Sequence, residues 1–571
     1  MSAQSVLISP GPLHALQLYC IALCCVVRHH CGVANSSFWT GQLAGAVAEA
    51  VGLQGKGCMV YLDPIMWKYT ASHASHQQRQ QSAISPDKLT FKVVDVAGHR
   101  LYAVLFEPEH IKALMLSWGT PGIGLSIRGA EQLLGGIDTL TEVPFESPDA
   151  PPTPTWTPEA PSHELLRRRV VELVQHGAID AQKTTCQPKD VFLYPSGMGA
   201  VFTAKNLLQD YRPGFVNVEL GIVFHNTHDL LREESPGGWK HLRKVDQEGL
   251  DALETWLEGQ RSQGSGATFV FVEYPGNPTL DTPDLPRLKQ LVSYPLPPRV
   301  ALALAARSCL CGQTISVLTL SLLLFVQSEK YGFVLIVDDT LGSFANVDVL
   351  AQGDLLLTSL TKSFSGRSDV LGGSIVLNPL SPHYAELSRR FTEAHRNQLF
   401  AADAEVLLSN SQDYFERTAR LNENARTMAE FLHQSIGQPD SPVVNVQYPS
   451  LLPTKANYDA FMRRSTPELP TPGYGCLLTV EFDSVETARA FYDRCGFYPS
   501  PHLGGHVTIM LAYNMFMFGK DRDEAAVLRP CGIKEESVRI SAGLEDAQDL
   551  LDTLQDALNA AVEAKRGSKT L

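Results

Sequence analysis

Between Asp190 and Asn378 the sequence repeats one unit: a short apolar run, a polar turn and a helical stretch. The runs cover residues 191–194, 268–273, 333–337, 355–357 and 373–377. Runs this short and this uniformly apolar suit strands buried on both faces. Strands that alternate with helices build a mostly parallel sheet with helices on either side. Ligands of such open sheets bind outside the carboxyl ends of the strands. The runs here end in Pro195-Ser196-Gly197-Met198, Tyr274-Pro275-Gly276-Asn277-Pro278, Asp338-Asp339-Thr340 and Thr358-Ser359-Leu360-Thr361-Lys362. The expected fold class is α/β: a large domain with a mostly parallel sheet, then a smaller C-terminal α/β domain. The latter has strands at 476–482 and 538–541 and a closing helix at 547–564.

A chain of 571 residues is long for one domain. Residues 1–36 stay unassigned. Residues 37–138 read as a mixed α/β region, with a helix at 44–51 and strands at 58–62 and 101–105. Residues 139–162 are rich in proline, which fixes φ and donates no backbone hydrogen bond, so an extended linker is expected there. Residues 163–400 are assigned to the large domain and 401–571 to the small one, which opens on a long helical region at 402–435. A formal charge of -14 argues against a nucleic-acid or anionic-membrane partner. Eleven irregularly spaced cysteines do not make a disulfide framework and suit a reducing, cytoplasmic setting. The apolar run at 12–27 is short for a membrane span and reads as a buried helix.

Lys362 carries the most chemical meaning. A lysine directly behind a buried strand is unusual, because lysine belongs on the surface. Held away from water it loses proton affinity and becomes a nucleophile towards aldehydes. Ser359 and Thr361, two apart, would share a face of an extended segment and could bond one anion. A surface loop that happens to contain Ser, Thr and Lys explains that short string equally well. The longer string is Asp354-Leu355-Leu356-Leu357-Thr358-Ser359-Leu360-Thr361-Lys362, followed by Gly366, Asp369 and Gly372-Gly373. It resembles the attachment signature of the Cys/Met-metabolism enzymes that use pyridoxal 5'-phosphate (PLP). Within that group the chain is most similar to the long fungal cystathionine γ-synthase-type proteins.

The resemblance implies the PLP-dependent transferase fold type I, like aspartate aminotransferase, with Lys362 as the catalytic Schiff-base residue. It implies that Asp338 pairs with the pyridine nitrogen and so keeps the ring an electron sink. Ser196, Gly197 and Met198 would form a phosphate cup at a helix start, with Ser359 and Thr361 also binding the cofactor. Phe224, in Phe224-His225-Asn226-Thr227, would stack on the ring where relatives have Tyr. Stacking needs only the ring face, but the hydroxyl that helps leaving-group chemistry in relatives is missing. Asn277 would bond the phenolic oxygen. Arg539 would grip the substrate α-carboxylate with its planar fork, the alternative being an ion pair with Glu545. Arg128, in Ser126-Ile127-Arg128, stands where relatives pass an arginine to the neighbouring subunit's phosphate, so a homodimer or homotetramer is expected. Asp339 replaces a usual Asn, and His502-Leu503-Gly504 replaces a Ser-Leu-Gly segment that helps hold substrate. No metal site is expected.

The implied reaction is γ-replacement. An O-acylhomoserine loses its acyl group from Cγ and cysteine adds, giving cystathionine. Lyase and sulfhydrylase chemistry use the same electron sink and stay open, as does a non-catalytic binding or regulatory protein. The resemblance is interrupted once, by residues 292–327. Val292-Ser293 can be encoded GTGAGT and Gln327 CAG, the ends of an intron, and the stretch at 315–326 is too apolar for a surface insertion. The interruption therefore reads as a retained intron.

Overall fold

The computed structural model describes residues 36–75, 83–294, 328–329, 331–519 and 522–568. The apolar runs at 12–27 and 315–326 lie outside them. Of the interruption at 292–327, only its first residues are described. Ser293–Tyr294 pairs antiparallel with Ser328–Glu329, so the chain leaves and re-enters at one point. Among the described residues no helix is long and apolar enough to cross a membrane.

Seven strands form the central sheet, in the order Val191–Tyr194, Gly373–Leu377, Leu355–Ser359, Val334–Asp338, Ala267–Glu273, Val216–Leu220 and Trp239–Leu242. Gly373–Leu377 is antiparallel to both neighbours, and the other strands run one way. Their carboxyl ends therefore share one edge. Ala267–Glu273 and Val334–Asp338 are buried at every position, as their unbroken apolar sequences predict.

Two strands escape the sequence pattern. Val216–Leu220 carries Asn217 and Glu219, both fully buried, and Trp239–Leu242 is a half-buried edge. Tertiary partners make these polar residues tolerable. Glu219 bonds His228 Nδ1 at 2.8 Å and accepts from Trp239 Nε1 at 3.1 Å. His241, 3.4 Å from the same carboxylate, bonds the Gly221 carbonyl at 2.9 Å. The two histidines keep the Glu219 carboxyl below its usual pKa even though burial, the largest influence, works the other way.

The N-terminal region forms a four-stranded antiparallel sheet of Gly57–Tyr61, His99–Phe106, Thr90–Val96 and Thr141–Glu142. Ala97 and Gly98 join two of these strands with positive φ at both positions, the backbone of a tight two-residue hairpin. Trp67 and Tyr102 from this region share one apolar cluster with Phe192, Val201 and Phe271 of the large domain. The proline-rich segment lies along the same sheet. Arg100 Nη1 donates to the Thr153 carbonyl at 2.9 Å, and the Arg100 amide donates to Thr155 Oγ1 at 2.7 Å. It is a strap held by the strand beside it, and the next helix, Pro161–Gln175, starts on its last proline.

The C-terminal sheet runs Val443–Gln447, Leu477–Phe482, Ser537–Ser541, Ile509–Leu511 and Tyr498–Pro499. The helices Tyr414–Gln434 and Ala547–Ser568 pack on it. The long helical region at 402–435 is two helices, Ala401–Asn410 and Tyr414–Gln434. Arg417 stitches the break by donating from Nη2 to the Asn410 carbonyl at 2.8 Å.

Candidate active site

A cavity of about 660 Å³ opens at the carboxyl edge of the large sheet. It gathers Ser196, Gly197, Met198, Phe224, Asn277, Asp338, Ser359, Thr361, Lys362 and Arg539, residues spread over most of the chain. The sheet explains the convergence. Asp338, Glu273 and Ser359 are the last residues of their strands, and Asp338 lies in register with both Glu273 and Leu357. Arg539 comes from the middle of a small-domain strand, opposite Thr479 and Leu511.

One end of the cavity is built to receive an anion. The helix Gly197–Tyr211 starts there, and Ser196 caps it, its Oγ accepting from the Gly199 amide at 2.9 Å. The same hydroxyl donates to the Gly122 carbonyl at 2.6 Å. First-turn amides with no intrahelical partner and a helix dipole favour negative charge at that point. A Cβ on Gly197 would lie 2.7 Å from Ser359 Cβ, and one on Gly122, which has φ +61, would lie 2.4 Å from Ser196 Oγ. Only glycine lets these three segments close round so small a space.

Ser359 and Thr361 both line the cavity, but not as one face of a strand. The strand ends at Ser359 and a turn follows. The Thr361 hydroxyl bonds both the carbonyl and the amide of Gly372, at 3.2 and 3.1 Å. Its single proton is thereby taken, which corrects the expectation that both hydroxyls serve one anion. Lys362 is half-buried in the same turn.

Arg128 is not among the cavity-lining residues. Its Nη1 donates to the Asp369 carbonyl at 2.8 Å and lies 3.4 Å from the Asp403 carboxylate. The Ser126 hydroxyl caps the Arg128 helix at Gly129 and also donates to Asp403. Nor does Glu545 wait for Arg539, because its carboxylate takes the Thr508 amide and hydroxyl. The Arg539 fork instead donates to Asn277 Oδ1 at 3.2 Å and to the carbonyls of Pro501 and His502, and its guanidinium lies 3.9 Å from the Tyr513 ring centre.

The family model described as Cys/Met metabolism PLP-dependent enzyme matches residues 320–559. An alanine racemase of Aspergillus violaceofuscus is 31% identical over 81% of this chain and 74% of its own length. The chain belongs to the Cys/Met-metabolism PLP-dependent enzymes. A cystathionine γ-synthase-like enzyme of Amanita muscaria is 29% identical over 82% of this chain and 77% of its own. The cystathionine γ-synthase of Neurospora crassa is 31% identical over 66% of this chain, which spans about half of that protein, 52%. The crystal structure of a cystathionine γ-synthase from Xanthomonas oryzae pv. oryzae superposes with a TM-score of 0.50 at 23% identity, covering 71% of this chain and 87% of that one. The fold is that of the PLP-dependent transferases, and PLP is the cofactor of this enzyme.

The cavity suits a cofactor that carries a phosphate, a basic ring nitrogen and an aldehyde. The helix start matches the phosphate and Lys362 the aldehyde. Asp338 matches the ring nitrogen: it is buried, it receives the Thr340 amide at 2.9 Å, and burial pushes its carboxyl pKa up. A cation beside it would reverse that shift.

Glu273 and Thr227 stand in segments that resemble the family's motifs but had no role assigned, and His225 and Tyr513 were not singled out at all. Glu273 accepts from the Phe224 amide at 2.7 Å and so fixes the ring that would stack. Burial, then the charge of Asp338, push its carboxyl pKa well up. His225 faces the Tyr513 hydroxyl at 3.1 Å, and Tyr513 in turn underlies Arg539. Thr227 reaches Met198 Sδ at 3.7 Å, tying the stacking segment to the phosphate end. A buried polar residue at a strand or helix end is the signal that could have found these residues.

Asp339, where relatives usually have Asn, is buried beside Asp338. Thr358 Oγ1 donates to its Oδ1 at 2.5 Å, and its Oδ2 has no partner. Burial lifts its pKa to about 7, against roughly 3.9 in an unfolded chain. Between those two values the native state keeps a proton that the unfolded state has released, so stability falls as pH rises through that window and levels off above it. Asp339→Asn is therefore expected to raise the melting temperature at pH 8 by a few degrees, on the order of a kcal/mol or more, and to change it little at pH 4. Scanning calorimetry at both pH values measures this, and equal melting temperatures at pH 8 would refute it.

Proposed function

We propose that this enzyme replaces the γ-substituent of an O-acylhomoserine with the sulfur of cysteine, giving cystathionine. The observation that supports it is the meeting of Lys362, Asp338 and Arg539 in one cavity at the sheet edge. When bound, PLP supplies an electron sink that lets hydrogens leave carbon next to the amino group. The protein does the rest. Arg539, oriented by Asn277 and Tyr513, holds the α-carboxylate and so fixes which carbons face Lys362. The Lys362 amine takes a proton from Cα and then one from Cβ as the acyl group leaves Cγ with its bonding pair, and it returns both protons once sulfur has added. Ser196, Gly197, Met198 and Ser359 would anchor the phosphate, and Phe224 would lie against the ring. A carboxylate at position 338 would hold the ring nitrogen protonated.

The same residues serve elimination, and a racemase stands among the relatives, so the products decide. The PLP-loaded enzyme is expected to make cystathionine from O-acetyl- or O-succinylhomoserine plus cysteine faster than it cleaves cystathionine. Chromatography of both incubations reads this directly. Cleavage or racemisation without any cystathionine formed would replace the proposal, and a cofactor absorbance that no amino acid perturbs would favour a binding protein.

A further inference from the structure

We propose that His502 is a second proton-carrying contact of the substrate, receiving the hydrogen of the entering thiol while Lys362 serves the carbon atoms. The inference rests on the γ-replacement reading above. His502 is buried and lines the cavity, yet neither ring nitrogen has a hydrogen-bond partner. A neutral imidazole offers one donor and one acceptor, and buried polar atoms in native proteins are met by some partner, a ligand included. The main chain of the residue is fully engaged. Its amide donates to Ser500 Oγ at 3.2 Å and its carbonyl accepts from Arg539 at 3.3 Å. Behind it, the Gly504 backbone, with φ +72, lies so close to Ser363 that a Cβ would come within 2.7 Å of the Ser363 amide. The ring is thus set in the cavity wall by a rigid backbone, with two buried nitrogens that the protein leaves unmet.

Its surroundings decide its form. Burial first, then the nearby charges of Lys362 and Arg539, hold its pKa well below the usual histidine range. That favours the neutral imidazole, whose ring offers a lone pair. Three neighbouring groups have other tasks. The Phe224 ring has no hydroxyl, His225 Nδ1 faces Tyr513, and Glu273 holds the Phe224 amide. A thiol with pKa near 8.5 must shed its proton to attack carbon. In the proposed step the S–H bond breaks and its proton passes to the His502 lone pair. The acyl group has by then left with the Cγ–O pair while Lys362 took a Cβ proton, so the pair left on sulfur forms the S–Cγ bond as the Cβ–Cγ π pair takes that proton back at Cβ. The proton then passes from His502 to water. No oxidant or reductant is needed.

Two readouts on the PLP-loaded full chain separate the roles. Exchange of the substrate Cα hydrogen with deuterated water, followed by NMR, reports Lys362 alone. Replacement by a series of thiols of decreasing pKa reports the entering group. His502→Asn is expected to keep exchange within about threefold and to lose roughly 100-fold in replacement by cysteine, with the loss shrinking steadily for more acidic thiols. His502→Ser should behave the same way. Equal losses in both readouts, a loss independent of thiol acidity, or no loss overturns the inference. If the unsubstituted enzyme forms no carbon–sulfur product at all while exchange proceeds, the γ-replacement reading itself fails and carries this inference with it. If it forms product and the His502 variants keep pace, only the inference falls.

Discussion

Lys362→Ala is expected to erase the visible absorbance band of the PLP-loaded enzyme and to cut turnover by roughly a thousandfold or more. The amine has two tasks in the proposed chemistry, as covalent anchor and as the base that moves protons between carbons, and no neighbour can take over both. Arg539 does not deprotonate in proteins, and His502 carries no primary amine. The loss should be chemical rather than structural. The lysine turn is held by backbone bonds, from the Lys362 amide to the Ser359 carbonyl and from the Gly366 amide to the Lys362 carbonyl, which an alanine keeps. Absorbance spectra and a melting curve on the same sample test both halves. A variant that kept the band would remove Lys362 from the site.

Asp338→Asn should separate activity from stability. A carboxylate facing a ring cation is worth several kcal/mol in a protein interior, so kcat/KM is expected to fall about 100- to 1,000-fold. Without cofactor the same change should stabilise the protein at neutral pH. The native carboxyl has its pKa raised by burial, so ionising it there costs stability that an amide does not. Opposite signs in the two measurements are the expected result. Unchanged kcat/KM would show that residue 338 does not face the ring. Asp339→Asn is the matching control: its side chain is outside the cavity lining, so it should stabilise without the loss of rate.

Much of this was readable from the residues. Val191–Tyr194 and Gly373–Leu377 form as strands with the expected bounds, because buried strands in such a sheet need apolar residues at successive positions and turns that break them. The resemblance carried by the string around Lys362 picked residues that line the cavity, Asn277, Asp338 and Arg539 among them, but not the stretch from Glu109 to Leu125 that forms another part of its wall. The failures share a cause. Val216–Leu220 looked unlike a strand because Glu219 and Asn217 interrupt it, and their partners His228 and Ser235 lie beyond the strand, nine and eighteen residues on. The proline-rich stretch looked like a free linker because its anchors, Arg100 and Tyr102, belong to another strand. Thr361 looked like an anion ligand until Gly372, eleven residues on, took its proton.

The sequence alone determined the class of sheet and the edge at which chemistry would occur, since strand ends and helix starts are set by short-range periodicity and turn residues. Its resemblance to a known family implied that Lys362, Asp338 and Arg539 meet there. Only the folded chain decided which polar atoms are already satisfied and which are left unmet. Arg128 turned to Asp403, Glu273 turned to Phe224, and His502 was left with two unmet nitrogens. Hydrogen-bond satisfaction depends on every neighbour within about 3.5 Å, and in this protein most of those neighbours come from remote parts of the chain.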